Sequence, residues 1–353
     1  MPDPSIDQWR VLYALAAQVR ALAPWAWMTE MDLFGVEHLP DGRLSFVQVL
    51  GQGGEHFAVC ALMGPAALHE MLDVALTEPP DAATRIVDIP QVQLSFEDRD
   101  LVETRDRAVL RELGLRFRGR HAWPLFRAYH PGFVPWHLEA EEAAILQVVL
   151  EQAVDVAPRV QRDPELLPGA LPEESGPLPP PRFLVRRQLP QGWTDEVRLV
   201  LPPAQPAAAP PLDAFSRARF GRLPRGQHVI EADVVRLWTP ICERQTARPY
   251  YPYLVLLVDA GSGLVVGVDI ASPLPTLQAM WEGMPVKLLV QLEKAGGLPA
   301  RVRVVSSRLR DVLEMALGVL DVPVEVVPEL PALEEARQEA ERAMGSFGLG
   351  PPP

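Results

Sequence analysis

The sequence predicts an α/β protein of two domains, in which mixed β-sheets carry helices on their faces. A length of 353 residues is enough for about two domains. Residues 158–212 hold fourteen prolines, a composition that favours extended and weakly packed backbone. On both sides of this stretch, apolar segments alternate between strand and helix patterns. We therefore expect domains at 1–157 and 213–347, a connector at 158–212 and a disordered tail at 348–353.

In the second half, the elements follow one another in a recognisable order. Residues 227–238, QHVIEADVVRLW, have the β-branched composition of a strand, and the turn sequence DAGSG joins two further strands, YLVLLV and LVVGVDIA. A long helix pattern comes next, and then strand, helix, strand and helix. Three antiparallel strands followed by parallel strands that helices connect predict a mixed sheet.

The stretch 227–344 resembles the catalytic core of retroviral-type integrases and bacterial transposases, which has a ribonuclease H-like fold. The resemblance rests on EADVV in the first strand, on the hairpin LLVDAGSGLVVG and on GLP after the long helix. That family uses a first-strand aspartate, a second aspartate after the fourth strand and a glutamate on the last helix. The first position matches Asp233, but the second falls on Ser306 or Ser307. Because a hydroxyl does not replace a carboxylate as a Mg²⁺ ligand, the resemblance implies a degenerate, non-catalytic core.

The first half repeats the same order of landmarks. WMTEMDLFGVEHL parallels HVIEADVVRLWTP, and hairpin, helix and strand–helix patterns follow at similar offsets. We therefore predict a tandem duplication, with two ribonuclease H-like domains that have mixed sheets and flanking helices, joined by the proline-rich connector.

In this first half, all three acidic positions could be filled. We hypothesise that Asp32, Asp98 and Glu142 hold Mg²⁺ or Mn²⁺, with Glu97 and Glu141 as substitutes. This would make the first domain a metal-dependent nuclease or phosphoryl-transfer enzyme. The other interpretation is that these acids are surface residues and helix-capping groups, which the helix dipole favours.

The segment 116–138, RFRGRHAWPLFRAYHPGFVPWHL, has four arginines, three histidines, six aromatic residues and no acid. Interleaved arginines and aromatic side chains grip phosphates and stack on bases. The candidate binding residues are Arg116, Arg118, Arg120, Trp123, Phe126, Arg127, Tyr129 and Trp136. Alternatively, the segment is a structural loop in which the tryptophans are buried and the arginines pair with acids such as Glu97, Asp98 and Asp100.

Charge and composition limit the possible partners and compartments. A net charge of −13 argues against attraction of the whole chain to nucleic acid or anionic lipid, so such binding must be local. Two cysteines are too few for a disulfide framework, and the cytoplasm is the expected location. No segment approaches the roughly 20 apolar residues that span a bilayer, so we expect no membrane association.

The runs LGLRFRGRHAWPLFRAYHPGFVPW and RPYYPYLVLLVDAGSGLVVGVD also resemble an uncharacterised bacterial family made of two adjacent domains of unknown function. This resemblance implies no activity. We expect a non-catalytic binding or scaffold protein whose partner is single-stranded nucleic acid or an acidic or proline-rich protein segment. The alternative is the metal-dependent enzyme in the first domain, and Mg²⁺ or Mn²⁺ is a cofactor only in that case.

Overall fold

A computed structural model of the chain describes residues 2–38, 42–76, 85–167, 182–202, 212–243 and 247–344, with side chains up to residue 339. The chain divides into two compact units. One consists of Met1–His130 and Pro135–Ala204, and the other of Pro131–Val134 and Gln205–Pro353. Each unit has a mixed β-sheet and flanking helices, which confirms the predicted α/β class. The predicted tail at 348–353 lies outside the described residues.

The first unit contains a seven-stranded sheet with the order β5-β4-β3-β2-β1-β6-β7. Only the pair β1 and β6 is parallel in this sheet. The strands are β1 Phe34–Glu37, β2 Leu44–Leu50, β3 Phe57–Met63, β4 Gln91–Glu97, β5 Trp123–Tyr129, β6 Arg182–Leu189 and β7 Gly192–Leu199. The helices are α1 Ile6–Leu22, α2 Gly64–Ala75, α3 Thr104–Glu112 and α4 Ala140–Arg162.

Helices cover both faces of this sheet. On one face, α1 and α4 bury an apolar core against β1 to β5, and Leu12, Leu146 and Val149 are fully buried there. On the other face, α2 packs its apolar side against Phe46 and Leu62. A capping box between Ser5 and Gln8 begins α1, because each side chain accepts from the backbone N–H of the other residue.

The predicted tandem duplication is wrong, because the strand order of the first sheet differs from the predicted one. β4 pairs antiparallel with β3, whereas the prediction made the strand after the first three a parallel one. β6 occupies the position beside β1. The side chains of β6 fit this position, because the consecutive buried residues Phe183, Leu184 and Val185 give the apolar run that a strand covered on both faces needs. β4 is also a buried inner strand, but it lies between β3 and β5.

The first unit also continues well beyond residue 157, where the sequence predicted its end. Within the predicted connector, α4 extends to Arg162, and β6 and β7 form a ribbon that joins the sheet through β1. An isolated ribbon is marginal, but this one gains a core beneath it. Gly35 of β1 allows the close pairing, since a Cβ atom there would lie 3.0 Å from Val185 Cγ2.

The second unit contains a five-stranded sheet with the order β10-β9-β8-β11-β12. β8, β9 and β10 are antiparallel neighbours, and β11 and β12 run parallel to β8, as predicted. The strands are β8 Val229–Arg236, β9 Tyr253–Asp259, β10 Val265–Ala271, β11 Arg301–Val304 and β12 Val324–Val326. The helices are α5 Ala214–Phe220, α6 Leu277–Lys294, α7 Ser307–Gly318 and α8 Pro331–Met344.

Among the described residues, no helix combines the length and the apolar character that a membrane span requires. The longest helix, α4, carries charged residues along its exposed side, including Glu141 and Arg159. Its buried side belongs to the apolar core of the first unit.

We predict that Phe183→Ala lowers the free energy of unfolding of the first unit by about 3–5 kcal/mol. Phe183 is 1% exposed, and its ring lies 5.5 Å from that of Phe46. Phe215→Ala is the matched control, because Phe215 is 76% exposed and its removal should change stability by less than about 0.5 kcal/mol. Urea titrations of the full chain measure both values, and equal values would show that β6 contributes nothing to the core.

Candidate functional site

Only some of the aromatic residues that the sequence predicted to bind a ligand are accessible to one. Phe126 is 2% exposed and packs edge-on against Tyr13 at 5.0 Å, so its place in the predicted binding set is wrong. Trp123 begins β5, is half-buried and packs edge-on against Phe117 at 5.9 Å. Phe117 in turn stacks on Tyr13. Trp123 and Phe117 therefore form a fixed aromatic wall whose outer side remains open.

Arg127 is also excluded from the binding set, because a buried carboxylate already occupies its guanidinium group. Nη1 and Nη2 donate to the two carboxylate oxygens of Asp106 at 3.0 and 2.7 Å. The side chains of both residues are largely buried, at 13% and 9% exposed. His137 lies beside the pair and contacts Glu103 at 3.0 Å. This pair joins α3 to β5.

Glu103, Asp106 and His137 are the one group of possible metal ligands whose atoms converge within the described part of the chain. The guanidinium of Arg127 already provides the positive charge there. It bonds both oxygens of Asp106 and lies 3.7 Å from Glu103. The cluster is therefore an ion-pair network that holds α3.

An open pocket of about 800 Å³ lies next to this network in the first unit. Its walls come from the 3₁₀ turn Arg99–Leu101, from α3 and from the loop between α3 and β5. Trp123, Phe117, Leu110 and Leu115 form its apolar part. We call it the arginine pocket, because five arginines line it: Arg99, Arg107, Arg111, Arg116 and Arg118.

The five arginines are exposed, and none of them forms an ion pair with a residue that the structure describes. No carboxylate is among the described lining residues. Arg107 and Arg111 are one turn apart on the same face of α3, a like-charge arrangement that destabilises a helix. In a chain with a net charge of −13, this surface is a local concentration of positive charge without ion pairs, an arrangement with which a protein can attract anions.

Three of the predicted binding residues line the arginine pocket, namely Arg116, Arg118 and Trp123. Arg120 is exposed and lies 3.8 Å from Asp98, outside the lining. Tyr129 pairs with Gln91 across the strands, and Trp136 pairs with Ala128, so both belong to the region around β5.

The pocket also contains Arg99, Arg107 and Arg111, which precede the predicted segment. The four-residue spacing in RDRAVLRE is the sequence signal for Arg107 and Arg111.

The predicted acidic residues of the first unit have separate local roles. Asp32 precedes β1 and accepts from the Thr29 N–H at 2.6 Å, so its predicted position inside the first strand is wrong. Asp98 accepts from the His121 N–H at 2.8 Å. Glu142 accepts from the N–H of Glu139 in the capping box of α4.

The two substitute residues are engaged as well. Glu97 lies 3.5 Å from His56, and Glu141 pairs with Arg43 at 2.7 Å. Within the described residues, none of these five acids belongs to a converging group of three possible ligands.

In the second unit, Asp233 lies on β8 at the edge of a separate cavity of about 570 Å³, which Glu334 and Arg337 also line. Burial raises the pKa of Asp233, and the charge of Glu334 adds to this effect. The Val234 N–H, which donates to Asp233, and the nearby Arg337 oppose it. Arg337 Nη2 lies 2.9 Å from Glu334.

The two serines at the corresponding position serve the helix that follows them. Ser306 is the N-cap of α7, and its hydroxyl accepts from the Leu309 N–H at 3.2 Å. Ser307 is the first residue of that helix. Asp259, at the end of β9, accepts from the N–H groups of Gly261 and Ser262, so it shapes the hairpin turn as expected from its sequence context.

We predict that the ion pair of Asp106 makes the first unit sensitive to acid. Burial alone would raise the pKa of Asp106, but hydrogen bonds from His137 and Arg127 outweigh burial and hold the pKa well below its usual range. The pair therefore contributes stability above the unfolded-state pKa of about 3.9, and this contribution is lost as pH falls from there toward the folded-state pKa.

Asp106→Asn should therefore lower the free energy of unfolding by about 3–5 kcal/mol at pH 7, because it leaves a buried guanidinium without its partner. The difference from wild type should shrink below about pH 4. Urea titrations from pH 7 to 3 measure it, with the exposed Asp7→Asn as control. A difference that stays constant over this range would contradict the pKa assignment.

Comparison with known families finds one family model in each unit, and the first model ends before β6 and β7. Residues 9–175 match the family model "Domain of unknown function (DUF7309)", and residues 216–341 match "Domain of unknown function (DUF6930)". The chain matches no curated protein. The two models cover most of the first unit and most of the second, in agreement with the resemblance to a family of two adjacent domains. The chain is thus a member of the proteins that join these two domains of unknown function, DUF7309 followed by DUF6930.

Proposed function

We propose that the protein is a non-catalytic binding protein that holds single-stranded nucleic acid in the arginine pocket. One observation supports this most directly: five exposed arginines without an ion-pair partner among the described residues surround one concave site. Guanidinium groups bind phosphate oxygens in pairs of parallel hydrogen bonds, which makes arginine well suited to this ligand.

The aromatic wall of the pocket favours nucleic acid over an acidic protein segment. Trp123 and Phe117 line the same cavity as the arginines, so phosphate and base can be bound side by side. Stacking of a base on an aromatic side chain contributes about 1–3 kcal/mol and is possible only for an unpaired base. An acidic peptide without aromatic or proline residues would pair with the arginines and leave this wall uncovered.

We further infer that the second unit is a degenerate ribonuclease H-like core. Its strand order, with three antiparallel strands beside two parallel ones, supports this assignment. Asp233 and Glu334 line one cavity, but Ser306 supplies a helix cap where a second carboxylate would be needed. Arg337 adds a positive charge to that cavity, and this charge opposes the binding of a divalent cation.

We propose the cytoplasm of a bacterium as the location of the protein. Both cysteines are free thiols, with Cys60 buried and Cys242 exposed. Burial also raises the pKa of Cys60 to about 12, so this thiol has little reactivity. The protein therefore depends on no disulfide of its own, as expected in a reducing compartment.

We predict that Mn²⁺ titrated into the full chain gives no pair of tight sites that depend on Asp233. The missing carboxylate and the Arg337 guanidinium both weaken binding of two adjacent divalent ions. Isothermal titration calorimetry of wild type and Asp233→Ala measures this, and the two should give the same heats. Two tight sites in wild type that vanish in Asp233→Ala would mean that the second unit retains a metal centre.

We predict that a labelled single strand binds the full chain with an affinity that falls as salt increases. For single strands, the slope of log K against log salt is about −0.7 for each phosphate neutralised, so contact with three phosphates predicts a slope of about −2. Fluorescence anisotropy between 50 and 200 mM salt measures it. The double variant Arg116→Glu/Arg118→Glu should bind at least about tenfold more weakly, because each change reverses a charge in the pocket.

Two results would contradict the proposal: no binding at low salt, or binding that the double variant leaves unchanged. A labelled acidic peptide of equal charge serves as the competing ligand. If the peptide bound more tightly than the strand, the protein-partner interpretation would replace the nucleic-acid one.

A further inference from the structure

We propose that the arginine pocket prefers the terminal phosphate chain of a nucleotide, a 5′-di- or triphosphate, over the internal phosphates of a strand. This inference rests on the proposed function and specifies the chemical class of the ligand. The same chemistry occurs in a free nucleoside triphosphate and at the 5′ end of a triphosphorylated strand.

The first argument is the density of charge. Five guanidinium groups line a pocket of about 800 Å³, and no described lining residue offsets their charge. An internal phosphodiester carries a single negative charge, whereas a terminal phosphate group carries about −1.5 to −2 at neutral pH. A chain of two or three phosphates therefore brings several charges into the space that one nucleotide occupies. Its charge matches the pocket better than one or two internal phosphodiesters would.

The second argument is the arrangement of the arginines. They come from three chain segments that meet around one cavity: Arg99 from the 3₁₀ turn, Arg107 and Arg111 from α3, and Arg116 and Arg118 from the following loop. Proteins that bind the length of a single strand place their positive charge along a groove that follows the backbone. A converging set instead suits a compact anionic group. The volume is also in the range of pockets that hold small ligands, about 300–1,000 Å³.

The third argument is the apolar wall, which a bare polyphosphate would not use. Trp123, Phe117, Leu110 and Leu115 line the same cavity. Phe117 packs between Tyr13 and Trp123, with ring distances of 6.2 and 5.9 Å. A wall fixed in this way is ready to receive a flat base without rearrangement. We therefore infer a nucleotide, with its phosphates on the arginines and its base against the wall.

The parts of the pocket are also held in a fixed relation to one another. Asp106, which precedes Arg107 on α3, binds Arg127 of β5, and β5 begins with Trp123. The same ion pair thus sets the distance between the charged and aromatic sides of the pocket. Pre-organisation of this kind reduces the entropy lost on binding.

The test compares three labelled strands of equal sequence that differ only at the 5′ end, as hydroxyl, monophosphate or triphosphate. In fluorescence anisotropy without divalent ions, we expect the triphosphate strand to bind at least about tenfold more tightly than the hydroxyl strand. Arg107→Gln/Arg111→Gln should remove this preference. The control Arg162→Gln/Arg222→Gln deletes two exposed arginines elsewhere, of which Arg162 makes the same helical bond to the carbonyl four residues back as Arg111 does.

Equal affinity for the three strands would overturn the inference while leaving nucleic-acid binding intact. Competition with an unlabelled nucleoside triphosphate separates the two sources. If it displaces the triphosphate strand at a similar concentration, the pocket takes free nucleotides, and if it is more than about 30-fold weaker, the pocket takes strand ends.

If no strand binds, calorimetric titration with the nucleoside triphosphate decides separately. Binding that Arg107→Gln/Arg111→Gln abolishes would support the pocket assignment, and the proposal of strand binding would then fail alone. No heat of binding would overturn the inference as well.

Discussion

The buried ion pair between Asp106 and Arg127 determines the geometry of the candidate site. It joins α3, which carries Arg107 and Arg111, to β5, which carries Trp123. Both members also contact His137 or Glu103, so the pair is part of a satisfied network. A buried pair of this kind adds little stability compared with apolar residues, but loss of one partner is strongly destabilising. Its main effect here is to specify where α3 lies.

The arginines of this region show how the surroundings of a guanidinium group decide whether it is available to a ligand. Arg127 is neutralised by a carboxylate on an adjacent element, whereas the arginines of the pocket are exposed and have no ion-pair partner among the described residues. Many other arginines of the chain follow the first pattern, for example Arg186 with Asp155 and Arg301 with Glu325. An acidic protein could readily have paired the pocket arginines too, which makes their unpaired state the most informative feature of the surface.

The second unit presents the opposite electrostatic situation. Its cavity at Asp233 contains carboxylates, and burial together with Glu334 makes ionisation of Asp233 less favourable. Arg337 partly balances these charges from inside the cavity. A cationic side chain does what a bound divalent ion would otherwise do, which is to compensate repulsion between carboxylates. This arrangement supports the proposal of a degenerate, non-catalytic second unit.

The sequence by itself determined most element types of the second unit, its mixed sheet, the serines at 306 and 307 and the unusual composition of 116–138, but not the strand β5 inside that segment. These properties depend on local periodicity and on side-chain chemistry, which are visible along the chain. Only the tertiary structure decided that β6 lies beside β1, that Asp106 neutralises Arg127, and that Arg99, Arg107 and Arg111 join Arg116 and Arg118 in one pocket. Strand neighbours and ion pairs depend on distance through space, since packing and Coulomb interactions take no account of separation along the chain.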